Sequence, residues 1–519
     1  LVAFIFLTST YMTLAYPAIF WVDTLFDDAY YYLGVAKNIG LGHGSSFALP
    51  LETNGYQPLW LGLLSIFSLL VSTDTTYLAA YLHVISALCA LAFIAIAHKQ
   101  HDADWAAGIA VIAFPFVTLL GMETSLIPAL ALLFFRSSGW MGGLLASALF
   151  LTRLDALALV AGRMIYELIK ERKIDVRMAA VTTVTVLGYF LYNYVEFGTA
   201  VPISGQAKSV GNVIGENWKV GLSFIIAATP LLIGAFLIKF THNKDYPFSK
   251  ELYSLLLAIG IASFYYGVLS GWDLWPWYRW PLVLLLYFFL LSLGLNRYKL
   301  VSVIATLVLI ATMYGGLKPM VKKFSGLIFA QQIENGQYHT WATQNVRDAE
   351  YFNAKDTAPI VLAMGDRAGS LGYFLDPKHQ LIQTEGLVAD RLFLSELKAG
   401  KGVEFLERYK VDYLIADRGR YWKFGDLFMV PEPIQGLSAK SGVMLMCFPT
   451  QADAVLMPPL RTERKYFAFN QRVTCPKAAQ DIFAQRMATY GIVRRYSLWP
   501  KMKTGPLSRL TYTPMAETP

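Results

Sequence analysis

The sequence predicts a polytopic α-helical membrane domain of about eleven transmembrane helices, followed by a C-terminal extracytoplasmic α/β domain. Three observations lead there. The 519-residue chain is 55% hydrophobic and only 15% charged, against about 25% charged in an average soluble domain, and its mean hydropathy is +0.43. The deficit of charge is concentrated before residue 318, and the composition turns polar after it. Basic residues before that point collect in short loops between apolar runs. These features place a membrane domain at 1–317 and a second domain at 318–519.

Taken in order, residues 1–22 form an apolar run. It is too long for an ordinary signal peptide and lacks the small-residue cleavage pattern, so a retained helix is expected. A first outer loop follows at 23–76. Within it, the apolar run 59–71 is short for a span and suits an interfacial or re-entrant helix. Further spans are expected at 77–97, 105–120, 124–135, 139–151, 156–169, 176–195, 218–238, 251–269, 281–295 and 300–317. Alternation then puts Lys99, Arg136, Lys170, Arg172, Lys173, Lys239, Lys244, Lys250, Arg297 and Lys299 on one side. The positive-inside rule makes that side cytoplasmic, with the N-terminus inside and the C-terminal domain outside the cytoplasmic membrane. The net charge of +8 is explained by these loops, so no nucleic-acid partner is expected; membrane lipids are.

In the tail, 360–363 and 413–416 read as buried strands, with helical stretches at 392–397 and 403–409 between them; that alternation suggests a small α/β domain. Residues 365–372, GDRAGSLG, lack GxGxxG spacing and read as a turn near the membrane face. Cys89 lies in an apolar run. Cys447 and Cys475 lie in the tail, where an oxidising compartment would allow a disulfide, although spacing alone does not bring them together.

The opposite, outer side holds isolated charges beside aromatic residues. Asp27 and Asp28 come first. They are candidates for a general base and a partner that orients it, since adjacent helical residues point about 100° apart; alternatively they are favourable charges at a helix N-terminus. Tyr30, Lys37, His43, Glu52, Asn54 and Tyr56 form a polar cluster downstream and are candidate substrate contacts. Glu123 either caps a helix or lines the site, and Arg153 with Asp155 either pairs internally or joins it. The loop with Gln206 and Lys208, and the Trp272–Trp280 stretch holding Trp275, Trp277 and Arg279, complete the set. Lys208 and Arg279 are candidate phosphate ligands, because a guanidinium fork matches phosphate oxygens; the tryptophans equally suit an interfacial belt.

The ordered set Asp27-Asp28-Ala29-Tyr30, Gly42-His43-Gly44, Asn54-Gly55-Tyr56-Gln57-Pro58-Leu59-Trp60, Gly121-Met122-Glu123-Thr124, Thr152-Arg153-Leu154-Asp155, the Gly198–Pro202 loop leading to Ala207-Lys208, and Trp277-Tyr278-Arg279 resembles the superfamily C glycosyltransferases. It is most similar to the branch of terminal arabinofuranosyltransferases of the mycobacterial cell wall and related bacterial membrane enzymes. The resemblance covers roughly residues 1–300. It implies an inverting transfer of a sugar, arabinofuranose in that branch, from a polyprenyl-phosphate carrier to a glycan, lipid or protein acceptor such as a pilin. Asp27 and Asp28 match the family's acidic motif, and Lys208 and Arg279 its donor-phosphate residues. No cofactor is required; a divalent cation at Asp27 is compatible but not implied. The family's Arg-Pro-Asp is Arg153-Leu154-Asp155 here, and its Leu-Pro-Asn-Thr is Val201-Pro202-Ile203-Ser204, without the asparagine. The rival reading is a polytopic transporter or lipid flippase without transfer chemistry; such proteins commonly carry repeats and mid-membrane broken helices, and no repeat is present.

Overall fold

The computed structural model describes residues 2–47, 49, 51–208, 214–215, 217–241, 248–270, 272, 275–294, 325–335, 340–354, 358–417, 420–432, 444–450 and 464–485. The expected span 300–317, the domain boundary at 317/318, and Lys244, Arg297 and Lys299 lie outside the described residues.

The N-terminal part is a bundle of apolar helices. Helix α1 (Val2–Ala15) stops before Pro17 and gives way to α2 (Ala18–Trp21) and a 3-10 turn at Val22–Thr24. The expected single helix over 1–22 is therefore interrupted. Proline has no amide to donate and disfavours helical backbone in the residue before it. Helices α3 (Asp27–Gly40) and α4 (Pro58–Leu70) pack together in the first loop. At 13 residues α4 is about 20 Å long, short of the ~30 Å hydrocarbon core. Asp74 caps α5 (Thr75–His101) by accepting from the Thr76 and Tyr77 amides at 2.8 and 3.1 Å. The expected span at 105–120 is split into α6 (Asp104–Ala113) and α7 (Pro115–Thr118), again because a proline restarts the helix.

The bundle continues through α8 (Ile127–Arg136), α9 (Gly139–Thr152), α10 (Leu157–Tyr166), α11 (Val176–Phe197), the short α12 (Ile203–Ala207), α13 (Trp218–Thr241), α14 (Ser249–Phe264) and α15 (Trp280–Gly294). Two π-helical turns, Glu167–Glu171 and Tyr265–Leu269, extend α10 and α14. Among the described residues three helices, Thr75–His101, Val176–Phe197 and Ser249–Leu269, are long and apolar enough to cross a membrane. The outer face of α11 leaves Val184 and Val195 71% and 73% exposed, a surface suited to lipid rather than water.

The bundle has two chemically distinct ends. At one, Arg163 and Lys250 both pair with Glu167, at 2.8 and 3.1 Å, and Arg136 bonds His101 at 2.8 Å. The C-termini of α5, α8 and α10 thus meet the N-terminus of α14. The start of α3, the turn before α8, the end of α9 and the start of α15 gather at the other end.

The C-terminal part begins with short helices α16 (Ser325–Ile328) and α17 (Ala330–Glu334) and the longer α18 (Trp341–Ala354). Strands β1 (Val361–Met364), β2 (Gln380–Gln383), β3 (Tyr413–Ala416) and β7 (Lys465–Ala468) form a sheet in the order β2-β1-β3-β7. β1 runs parallel to β2 and β3, in register Leu362↔Leu381 and Ala363↔Leu414, and β7 closes the edge antiparallel. Helices α19 (Gly369–Phe374), α20 (Arg391–Lys398) and α21 (Gly402–Arg408) connect the strands. A second, antiparallel sheet holds β4 (Trp422–Phe424), β5 (Leu427–Glu432) and β6 (Met444–Pro449). Cys447 in β6 is disulfide-bonded to Cys475, and Cys89 is free and buried.

Candidate active site

The geometry follows from where the parallel strands end. In an open α/β sheet, ligands sit beyond the carboxyl ends of the strands, where the strand order reverses. Here β1 lies between β2 and β3. The residues just past the three strands are Asp366, Glu385 and Asp417, and β5 ends at Glu432. This acidic edge of the C-terminal part faces the start of α3.

Asp27 makes the joint. Its Oδ2 accepts from the Gly369 amide at 2.9 Å, and its Oδ1 from the Ser370 amide and hydroxyl at 2.9 and 3.0 Å. A side chain on Gly369 would meet the Asp27 carbonyl oxygen at 2.2 Å, so only glycine allows this approach. Burial pushes the Asp27 carboxyl up to about 6, against the pull of the Ser370 and Gly369 bonds.

Asp28 is different. It is partly buried and has no hydrogen-bond partner among the described residues. Burial, and then the charge of Asp27, push its carboxyl up to about 8 despite the opposing Lys208 ammonium; Asp366 and Glu123 add to the rise. Lys208, one residue past α12, donates to the Tyr278 hydroxyl at 2.7 Å and lies over that ring. Burial draws Lys208 down, but Tyr278 outweighs it and holds the ammonium above its ordinary value.

The remaining groups form a supporting wall. Arg153 grips Asp155 with two bonds of 2.7 and 2.9 Å, reaches Glu123 Oε1 at 2.6 Å, and lies 4.9 Å over the Tyr278 ring. Glu123 Oε2 accepts from the Tyr32 hydroxyl at 3.1 Å. The 275–279 segment reaches α3 through Phe26, whose ring is 5.1 Å from Trp277; Trp275 stacks on Trp277 at 5.4 Å. Arg279 pairs with no carboxylate among the described residues. Its Nε is buried without a hydrogen bond, and burial lowers its basicity.

Other candidates lie apart from Asp28. Tyr30 donates to the Val22 carbonyl at 2.8 Å and packs on Tyr373. Lys37, at the far end of α3, donates to the Tyr373 and Leu375 carbonyls. His43 is exposed in its turn. Asn54 clips Asn193 to the Ile203 amide, both at 2.8 Å. Tyr56 bonds Ser45 at 2.8 Å, Gln206 donates to the Val201 carbonyl at 2.9 Å, and Glu52 is exposed.

Sequence reasoning passed over several residues that the fold brings to Asp28. Tyr31 is acted on by Asp27, Glu385, Asp28 and Asp366 together. Helical spacing carries the signal: Tyr31 stands four residues after Asp27 and three after Asp28, and Tyr32 four after Asp28, so both can share a face with Asp28, whereas Tyr30 is spaced to meet Asp27 only. Asp366, Glu385, Glu432 and Arg420 were also passed over. Arg420 pairs with Asp366, and Asp366, Glu385 and Glu432 all raise its basicity against burial. Burial, then Asp366, pushes Glu385 well above the carboxylate range, and burial pushes Glu432 up to about 7. Acidic residues directly after buried strands were the available clue.

No family model and no curated protein matches this chain. Among solved structures it is similar to the crystal structure of ArnT from Cupriavidus metallidurans bound to undecaprenyl phosphate. The two are 12% identical with a TM-score of 0.47, over 73% of this chain and 85% of that one. That likeness is too distant to bear on function.

Proposed function

We propose that this protein is a membrane-embedded inverting glycosyltransferase, moving a sugar such as arabinofuranose from a polyprenyl-phosphate carrier to an envelope acceptor on the outer face of the cytoplasmic membrane. The observation that carries the reading is Asp28: a carboxylate without a hydrogen bond among the described residues, pushed up to about 8 by burial and then Asp27, and acted on by the Lys208 ammonium at one end of an apolar bundle. A base whose pKa lies near the operating pH is the efficient one.

In this reading an acceptor hydroxyl attacks the anomeric carbon and passes its proton to the Asp28 carboxylate. The bond from that carbon to the phosphate oxygen breaks, and the electron pair leaves with polyprenyl phosphate. Lys208 and Arg279 balance the charge on the departing phosphate. Attack opposite the leaving group inverts the anomeric centre. Asp27 holds the C-terminal part in place, and Glu123, Arg153 and Asp155 hold Tyr278, which in turn fixes Lys208. The disulfide supports an extracytoplasmic location for the C-terminal part. The test is Asp28→Asn, assayed for transfer from radiolabelled polyprenyl-phosphate sugars in detergent, where no gradient exists. A loss of 10²-fold or more is expected; full activity would remove Asp28 from the reaction.

A further inference from the structure

An opening of about 550 Å³ lies where three segments meet: the first loop at Glu52 and Asn54, the end of α11 at Glu196 with the turn after it at Thr199, and the start of α20 at Asp390 and Arg391. We propose that this cleft holds the acceptor, and that the acceptor is an uncharged, hydroxyl-rich glycan. The proposal rests on the glycosyl-transfer reading above.

The volume lies within the range of small-molecule sites, about 300–1,000 Å³. The walls are held in place by bonds within and between the three segments. Asn54 is spent on Asn193 and the Ile203 amide. Asp390 caps its own helix through the Phe393 amide at 2.7 Å. Arg391 donates to the Gly198 carbonyl at 2.8 Å, tying α20 to the turn after α11. The cleft therefore exists only when the C-terminal part is docked.

Two lining groups remain uncommitted. Glu52 and Glu196 are exposed and make no hydrogen bond or ion pair among the described residues. Ionised carboxylates only accept hydrogen bonds, and each sugar hydroxyl has a proton to donate to them. Counted with Asp390, three carboxylates line the cleft against the one Arg391 guanidinium; this negative balance repels phosphate and other anions, so an anionic lipid headgroup is a poor occupant. Ile203 also lines the cleft and opens α12, which ends one residue before Lys208. At 1.5 Å per residue the rise from Ile203 to Lys208 is about 7.5 Å, so the cleft wall and the Lys208 ammonium belong to one short segment of chain.

The experiment uses the full chain in detergent with neutral arabinan, mannan and galactan trisaccharides as probes, and a sialylated trisaccharide as the anionic arm. Saturable binding of at least one neutral probe is expected, and none of the anionic one. Glu52→Gln with Glu196→Gln keeps side-chain volume and should weaken binding at least tenfold; Thr199→Trp, which fills the cleft, should abolish it. In transfer assays the double variant should raise KM for the acceptor and leave KM for the donor unchanged. Absence of neutral-probe binding, tighter binding of the anionic probe, or binding indifferent to the double variant overturns the cleft. Donor consumption separates the two readings. If the wild-type chain turns over donor while the cleft variants behave normally, only the acceptor site falls. If it binds the glycan but never consumes donor, the transfer reading falls.

Discussion

Asp27 and Asp28 are adjacent in sequence and opposite in circumstance. Asp27 has three donors on its two oxygens, whereas Asp28 has no hydrogen bond among the described residues and feels the charges of Asp27, Lys208, Asp366 and Glu123. Asp27→Asn should therefore leave measurable transfer where Asp28→Asn does not, and should raise hydrogen exchange at the Gly369 and Ser370 amides; equal losses in both variants, with exchange unchanged, would contradict the division of labour. Their titration gives opposite trends for rate and stability. A base must be ionised, so transfer should rise with pH through about 8, the value for Asp28. Stability runs the other way. Asp27, Glu432 and Asp28 are held at about 6, 7 and 8, above the ~4 of an unfolded carboxyl. Their folded forms bind protons more tightly, so the stabilising contribution is full below the unfolded value and is lost as pH rises through 6 to 8. Thermal unfolding in detergent should show Tm falling over that window while turnover climbs.

At the scale of elements, α19 is a short helix whose placement depends on close approach. Gly369→Ala puts a carbon against the Asp27 backbone and should displace α19, lowering transfer at least tenfold while the chain still inserts in membranes; limited proteolysis of the C-terminal part reads the displacement directly. The apolar rods were legible in the sequence because long, predominantly apolar stretches leave little alternative, and the strand at Tyr413–Ala416 was legible from its buried run between polar flanks. Pro17 and Pro115 were present in the sequence, yet their interruptions at the ends of α1 and α6 were hidden by the surrounding hydrophobicity, which carries no information on backbone continuity. Asp28 and Lys208 stood out as rare charges in an apolar chain. Asp366 and Glu385 did not, because in a polar domain a carboxylate is common and its neighbours depend on sheet order, a long-range property.

For the whole molecule, the wall of Arg153, Glu123 and Asp155 links the turn before α8 to the end of α9 and, through Tyr278, to the start of α15. Replacing Arg153 with Met would strand two carboxylates, a loss of about 3–5 kcal/mol for a broken buried pair. It should lower Tm and abolish transfer together, whereas a purely catalytic role would leave Tm unmoved. The Cys447–Cys475 bond ties β6 to the segment after β7 across 28 residues and should contribute about 2–4 kcal/mol, read as a lower Tm in reductant. A practical consequence attaches to that covalent tie. Material harvested from a host whose secretion machinery cannot oxidise thiols would carry the helical bundle without a properly closed cover over it, and would look inert in assays for reasons unrelated to its chemistry.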